Sequence, residues 1–153
     1  MLRASVKTAF LIVFLSLFSV SVSAENPERL LLVSSAESTV PALSNKEVKR
    51  IFLAVPTVKN GLRLTPLRNA TDDLITEVFL QKIIFMSQPH YEREIVARVF
   101  RDGGVRPQIF KDQEALVDQL LQAPESLTYM WESQLEKASG LKSIGVLWER
   151  AAY

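Results

Sequence analysis

The chain carries few side chains that could do chemistry. It has no cysteine and a single histidine, His90, which directly follows Pro89 at a predicted helix start. Nucleophilic catalysis needs a base beside the nucleophile, and no serine lies in a Gly-x-Ser-x-Gly turn. His90 is therefore interpreted as a solvated or capping residue. We expect a protein without catalytic residues, enzyme activity or a cofactor.

Metal and nucleotide sites are not indicated either. A metal site needs several ligands at regular spacing, whereas Glu92 and Glu94 lie near Arg93 and Arg98 and are interpreted as a solvated charged helix face. The Asp-Gly-Gly segment at 102–104 lacks the Lys-Ser/Thr pair of a P-loop and the third glycine of a dinucleotide fingerprint. It is interpreted as a helix C-cap followed by a turn, and no metal is expected.

Polar capping signals predict where four helices begin. Ser44 and Glu47 have the spacing of a capping box, which starts the first helix. Thr71 is predicted to cap the second helix, whose acidic first turn favours the helix dipole. Ser87 and Asp112 are the predicted caps of the third and fourth helices. The third helix is expected to turn four apolar side chains to the core: Tyr91, Ile95, Val96 and Val99.

Short apolar runs between these helices predict the strands. Residues 30–33 are apolar on both faces, as in a buried strand, and a second strand over 62–68 follows the turn signal Asn60-Gly61. Later strands are predicted near 107–110, 126–131 and 142–148. The predicted order is β-α-β-α-α-β-α-β-β, which is an α/β fold.

The N-terminal segment has the pattern of an export signal. Arg3 and Lys7 precede an apolar run over 9–20, and small residues follow up to Ala24. The alternative is a membrane anchor, but the run is about twelve residues, whereas roughly 20 span a bilayer. We expect a signal peptide over 1–24 that is cleaved after Ala24. A single periplasmic domain then spans 25–153, and no membrane insertion is expected after cleavage.

Composition limits the partners of this domain. Removing Arg3 and Lys7 from the 18 basic residues leaves 16 against 17 acidic ones, so the mature net charge is about −1. This balance argues against nucleic-acid binding, which needs clustered basic residues. Because cysteine is absent, neither disulfides nor lipid modification at an N-terminal cysteine is available, and the domain depends on its core alone.

Most of the predicted domain resembles a known family. The segment 43–53 has the pattern Leu-Ser-x-x-Glu-Val-x-x-Ile-Phe-Leu, and the segments 60–61 and 66–68 follow it. The stretch 100–107 is similar to a Phe-x-Gly-x-Gly-x-x-Pro pattern, ahead of the helix over 114–121. These segments resemble the phosphate-binding subunits of phosphate ABC transporters, and in particular their short, single-lobe periplasmic relatives.

The resemblance implies a fold and a ligand site. The fold is a single α/β lobe, half of a type II periplasmic binding protein, in which helix N-termini and hydroxyls hold an oxyanion between two lobes. Ligands of open α/β sheets lie beyond the carboxyl ends of strands, and helix N-termini attract anions. The predicted ligand-binding residues are Arg68, at the end of the second strand, with Thr71 and Tyr129.

The chain departs from the family's pattern at this site. The family has an Asp and a Ser-Gly-Thr turn after the arginine, whereas Arg68 is followed by Asn-Ala-Thr-Asp-Asp. Asp72 and Asp73 are therefore expected to occupy the helix dipole themselves. The family's Ile-Gly-Tyr is also changed, to Leu-Thr-Tyr at 127–129, so that only Tyr129 matches.

Two hypotheses for function follow. The first is a small periplasmic accessory or sensory binding protein that binds phosphate or another small oxyanion weakly through Arg68 and Thr71, and that is linked to transport or signalling. The second is a ligand-free interaction module whose partner is a membrane sensor or transporter.

Overall fold

The computed structural model of the chain describes residues 28–151. The predicted signal peptide over 1–24, with its cleavage site after Ala24, lies outside the described residues. Within 28–151, no helix combines the length and the apolar character that crossing a membrane requires. The described part covers most of the predicted domain over 25–153.

A five-stranded mixed sheet forms the centre of the fold. The strands of the described part are β1 (Arg29–Ser35), β2 (Val58–Lys59), β3 (Leu62–Arg63), β4 (Thr65–Asn69), β5 (Gln108–Phe110), β6 (Ser126–Trp131) and β7 (Leu141–Glu149). The sheet has the order β5-β4-β6-β1-β7, and β2 pairs with β3 in a separate hairpin. β4 runs parallel to β5 and β6, whereas β1 runs antiparallel to β6 and β7.

Helices connect the strands and cover both faces of the sheet. They are α1 (Asn45–Phe52), α2 (Asp73–Phe79), α3 (Gln88–Asp102), α4 (Gln113–Gln122) and α5 (Glu132–Glu136), with a π-helical turn, Leu80–Ile84, directly after α2. The larger apolar core lies on one face, where α1, α2 and α3 pack against the sheet. A smaller core lies on the opposite face, beneath α4. The sheet is therefore the middle of three layers.

Most of the predicted elements are confirmed. Ser44 caps α1 in a complete capping box with Glu47, and the carboxylate of Asp112 accepts the Ala115 N–H at the start of α4. Gly103 has a positive φ of 68° at the C-cap of α3, as the turn interpretation of 102–104 predicts. The predicted strands and helices follow one another in the predicted order, with a hairpin and one helix inserted among them, and the fold is the predicted α/β lobe.

Four details of the sequence prediction are wrong. The second strand is divided, because residues 58–63 form a hairpin and β4 begins only at Thr65. The helix α5 between the last two strands was not predicted. Thr71 is not the cap of α2, because the neighbouring Asp72 accepts the Ile75 N–H instead. Val96 is exposed, since it lies on the outer side of α3 while Tyr91 and Ile95 are buried.

Candidate functional site

A cleft lies where β4 and β5 end. The chain leaves β4 on the face that carries α2 and α3, and it leaves β5 on the opposite face, which carries α4. Because the two connections diverge, the carboxyl ends of β4 and β5 leave a crevice between them, which is where open α/β sheets bind ligands. The crevice has a volume of about 780 Å³. Four of its charged lining residues are Arg68, Asp73, Glu77 and Lys111.

Arg68 stands at the inner end of this cleft and is almost completely buried. Its side chain continues from β4 towards α3, with 4% of the residue exposed. The guanidinium lies over the ring of Tyr91, 4.8 Å from the centroid, and its Nη1 is 2.8 Å from Oε1 of Glu92. A buried arginine needs a counterion, and Glu92 supplies it from the first turns of α3.

Glu92 connects Arg68 with a second arginine. Its other carboxylate oxygen contacts Nη2 of Arg106, in the loop between α3 and β5. Although Nη1 of Arg68 is close to Glu92, its N–H bonds are not aligned for a hydrogen bond to any described residue. The contact is therefore a charge pair without hydrogen-bond geometry. The interpretation of Glu92 as part of a solvated charged face is corrected, because 29% of its side chain is exposed and it neutralises a buried cation.

The hydroxyl of Thr71 is committed to a polar network. It donates to Oδ1 of Asn69 at 2.7 Å and accepts from Nε2 of Gln134 at 2.9 Å. Asn69 is itself buried, and its amide donates to the carbonyl oxygen of Tyr129. A hydroxyl has a single proton to donate, so Thr71 has none left for an anion in this arrangement.

The N-terminus of α2 is occupied by the protein's own carboxylate. Oδ1 of Asp72 accepts the Ile75 N–H at 2.7 Å, and Oδ2 accepts Nε1–H of Trp131 at 3.2 Å. Asp73 adds a second carboxylate in the first helical turn and lines the cleft. These negative charges lie where the helix dipole would otherwise stabilise a bound anion, as the sequence predicted.

Tyr129 lies in the core rather than in the cleft. It is 2% exposed, and its ring stacks on that of Phe79, with the centroids 3.7 Å apart and the planes 8° from parallel. Burial raises the pKa of the Tyr129 phenol well above its ordinary value, so the group stays neutral. Arg68 and Thr71 both lie near the end of β4, but their contacts differ, since Arg68 meets Tyr91 and Glu92 whereas Thr71 contacts Asn69 and Gln134. The main chain of Tyr129 joins the network of Thr71 through Asn69. A ligand-binding role for these three residues stays a prediction.

Sequence reasoning missed the residues that organise this region. Tyr91 and Glu92 meet Arg68 from 23 and 24 positions further along the chain, and Asn69 and Gln134 hold Thr71. A polar residue such as Asn69 at an inward position of a strand is the signal that could have indicated a buried hydrogen-bond network. Among residues 28–151, no three histidine or carboxylate side chains are grouped so that they could hold a metal ion.

These features define the fold. A mixed sheet between helical layers, with a cleft beyond parallel strand ends, matches the α/β lobe that the sequence predicted. No protein-family model matches the chain, and a comparison with curated proteins found no match.

Solved structures of phosphate receptors share this fold. An ABC-type phosphate transport receptor from Vibrio cholerae superimposes with a TM-score of 0.57 at 9% identity, covering 77% of this chain and 46% of the receptor. PstS from Borrelia burgdorferi gives a TM-score of 0.53 at 10% identity, covering 78% of this chain and 47% of that protein. This chain therefore spans about half the length of these receptors. The resemblance predicted from the sequence is confirmed at the level of the fold.

Proposed function

We propose that this chain is an exported, non-catalytic accessory protein with a solute-binding-like lobe, which acts through contact with a protein partner in the periplasm. The partner belongs to the class of membrane sensors or transporters. Support comes from the export pattern over 1–24 and from the shared fold with phosphate receptors. The proposal also states that the lobe acts without binding an oxyanion in its cleft.

The ion pair of Arg68 with Glu92 is the observation that carries this proposal. An oxyanion in the cleft would compete with Glu92 for the only buried cation of the cleft lining, and it would stand near Asp73. One carboxylate about 5 Å from a bound anion costs roughly 1 to 3 kcal/mol at effective dielectrics between 80 and 20. Binding then weakens roughly tenfold to hundredfold for each such contact. A single lobe also leaves the anion in contact with water, where charge pairs contribute little.

Calorimetric titration with phosphate and sulfate tests the proposal. We expect the purified domain to bind neither anion more tightly than roughly the millimolar range, which is about 4 kcal/mol of binding free energy. The variants Arg68→Ala and Arg68→Lys are titrated alongside, the second because it keeps a charge at a buried position. Micromolar phosphate binding that Arg68→Ala abolishes would contradict the proposal, whether or not Arg68→Lys retains it.

A weak oxyanion binder is the second candidate function, and one observation favours it. The Arg68 Nη1 group lacks an aligned acceptor among the described residues, and Lys111 adds a positive charge to the cleft. The variant Glu92→Gln removes the competing charge and should strengthen phosphate binding about tenfold if the cleft is an anion site. Glu94→Gln is the matched control, because Glu94 pairs with Arg98 on the same helix. Unchanged affinity in both variants would exclude this candidate.

A further inference from the structure

The outer face of α3 combines exposed apolar and cationic side chains. Its members recur at spacings of three and four residues and so form one stripe opposite the buried Tyr91 and Ile95. We call this stripe the outer face of α3, and it consists of His90, Arg93, Val96, Ala97, Phe100 and Arg101. All six residues are exposed. Phe100 is 87% exposed and Val96 45% exposed.

The charges of α3 are distributed unevenly around the helix. Its two glutamates flank the stripe and are engaged, Glu92 with Arg68 and Arg106, and Glu94 with Arg98 at 2.7 Å. The stripe itself contains no acidic residue. Arg93 forms no ion pair with any of the described residues, and the Nε of Arg101 is 3.5 Å from the carboxylate of the adjacent Asp102. Of the two arginines of the outer face, Arg93 is therefore unpaired among the described residues, and Arg101 has only a long contact with its exposed neighbour Asp102.

We infer that the outer face of α3 docks on a protein partner whose surface offers an apolar pocket for Phe100, bordered by carboxylates that face Arg93 and Arg101. This inference rests on the proposed function and names the surface through which the contact is made. Aromatic residues and arginine are enriched in protein interfaces and among the residues that contribute most to binding, and here Phe100 lies on one helix with Arg93 and Arg101. Complementary charge at the border of such a contact accelerates association and selects the partner.

Two other occupants fit the surface less well. A second copy of the chain, packed about a two-fold axis, would present the same two arginines from both sides of the contact, and only the adjacent Asp102 could offset them, which is unfavourable. An anionic lipid surface would attract the two arginines, but the stripe offers only one large aromatic side chain for insertion. A protein pocket matches both the isolated Phe100 and the flanking charges.

Site-specific photocrosslinking in the native host tests this inference. Phe100 is replaced by the photoreactive amino acid p-benzoylphenylalanine in the full-length, exported protein. Leu121 is the matched control position, since it is 46% exposed on α4, which lies on the opposite face of the sheet. The same crosslinker at Phe100 is combined with Arg93→Gln and Arg101→Gln, and separately with Arg93→Lys and Arg101→Lys. Thermal midpoints of all variants check that the exposed substitutions leave the domain folded.

The expected result is a crosslink from position 100 to a defined peptide of another protein, rich in carboxylates, with no crosslink from position 121. The variant with Arg93→Gln and Arg101→Gln should no longer form this crosslink, whereas the variant with Arg93→Lys and Arg101→Lys should still form it. Crosslinks from position 100 to lipid, or to a second copy of the chain, would overturn the inference. Protein crosslinks from position 121 but not from position 100 would show that the partner does not dock on the outer face of α3, and they would still support the proposed function. The absence of protein crosslinks from both positions would overturn the inference, whereas the proposed function, which names no surface, would still depend on its calorimetric test.

Discussion

Arg68 at the end of β4 and Glu92 in α3 form an ion pair that joins the sheet to the helix layer, with Nη1 2.8 Å from Oε1. The pair lies at the inner end of the cleft between β4 and β5. It neutralises the cation that the family resemblance assigns to an oxyanion. We therefore expect the same contact to contribute to the stability of the fold and to weaken the binding of an anion in the cleft.

The ion pair predicts unequal effects for two glutamate substitutions on α3. Glu92→Gln leaves the buried guanidinium of Arg68 without a full counterion and should lower the free energy of unfolding by about 1–3 kcal/mol. Glu94→Gln disrupts only a partly exposed pair with Arg98 and should cost about 0.5 kcal/mol or less. Urea unfolding of both variants measures the difference. Equal effects would show that Glu92 contributes nothing beyond an ordinary surface charge.

The capping box of α1 predicts a second pair of results. Ser44→Ala removes the side-chain oxygen that accepts the Glu47 N–H, and it should lower the free energy of unfolding by about 0.5–2 kcal/mol. Ser87→Ala is the control, because Ser87 occupies the N-cap of α3 without a side-chain hydrogen bond. Thermal or urea midpoints should fall for the first variant and stay nearly constant for the second. A larger loss for Ser87→Ala would contradict this account.

Glu47 predicts a pH dependence of stability. Hydrogen bonds from Lys59 first, and then from Ser44, lower the pKa of the Glu47 carboxyl to about 2. Because the folded pKa lies below that of the unfolded chain, the contribution of the Glu47 carboxylate to stability is fully present above the unfolded pKa, which is about 4.5, and is lost as the pH falls towards 2.

Unfolding free energies measured between about pH 6 and pH 2 test this dependence. The difference between the wild type and Glu47→Gln should shrink as the pH falls through this range. Lys59→Met removes the strongest contact and should reduce the same pH dependence in part. A constant difference across the range would count against the account.

Export predicts a defined N-terminus. If the segment over 1–24 is a signal peptide, mass spectrometry of the protein from its native host should find Glu25 as the first residue. Replacing Ala24 with a bulky residue such as Phe should slow processing, since the peptidase requires small residues at the cleavage site. Recovery of the full-length chain from the cytosol as the main form would rule out this prediction.

Features that depend on neighbouring residues could be predicted from the sequence. The capping box of Ser44 and Glu47 spans three positions, and the buried strand over 30–33 is one continuous apolar run. Asn60 and Gly61 both have positive φ values, 49° and 77°, as the tight turn of a two-residue hairpin requires. Prediction from the local pattern was wrong where two neighbouring residues could both serve as the N-cap of a helix. Thr71 and Asp72 can both cap a helix, and Asp72 does so while it also accepts the indole N–H of Trp131.

The sequence by itself therefore determined the class of fold, the positions of most helices and strands, and Arg68 with Thr71 at the end of β4. Only the tertiary structure decided what these two side chains do. The partners of Arg68 and Thr71 lie 24 and 63 positions away, in Glu92 and Gln134, and no local spacing relates them. Packing α3 against the sheet brings Glu92 to Arg68, and the same packing exposes Phe100 on the other side of the helix. Burying a charge or a hydroxyl without a partner costs free energy, and the partners of Arg68 and Thr71 reach them only when the helices pack on the sheet.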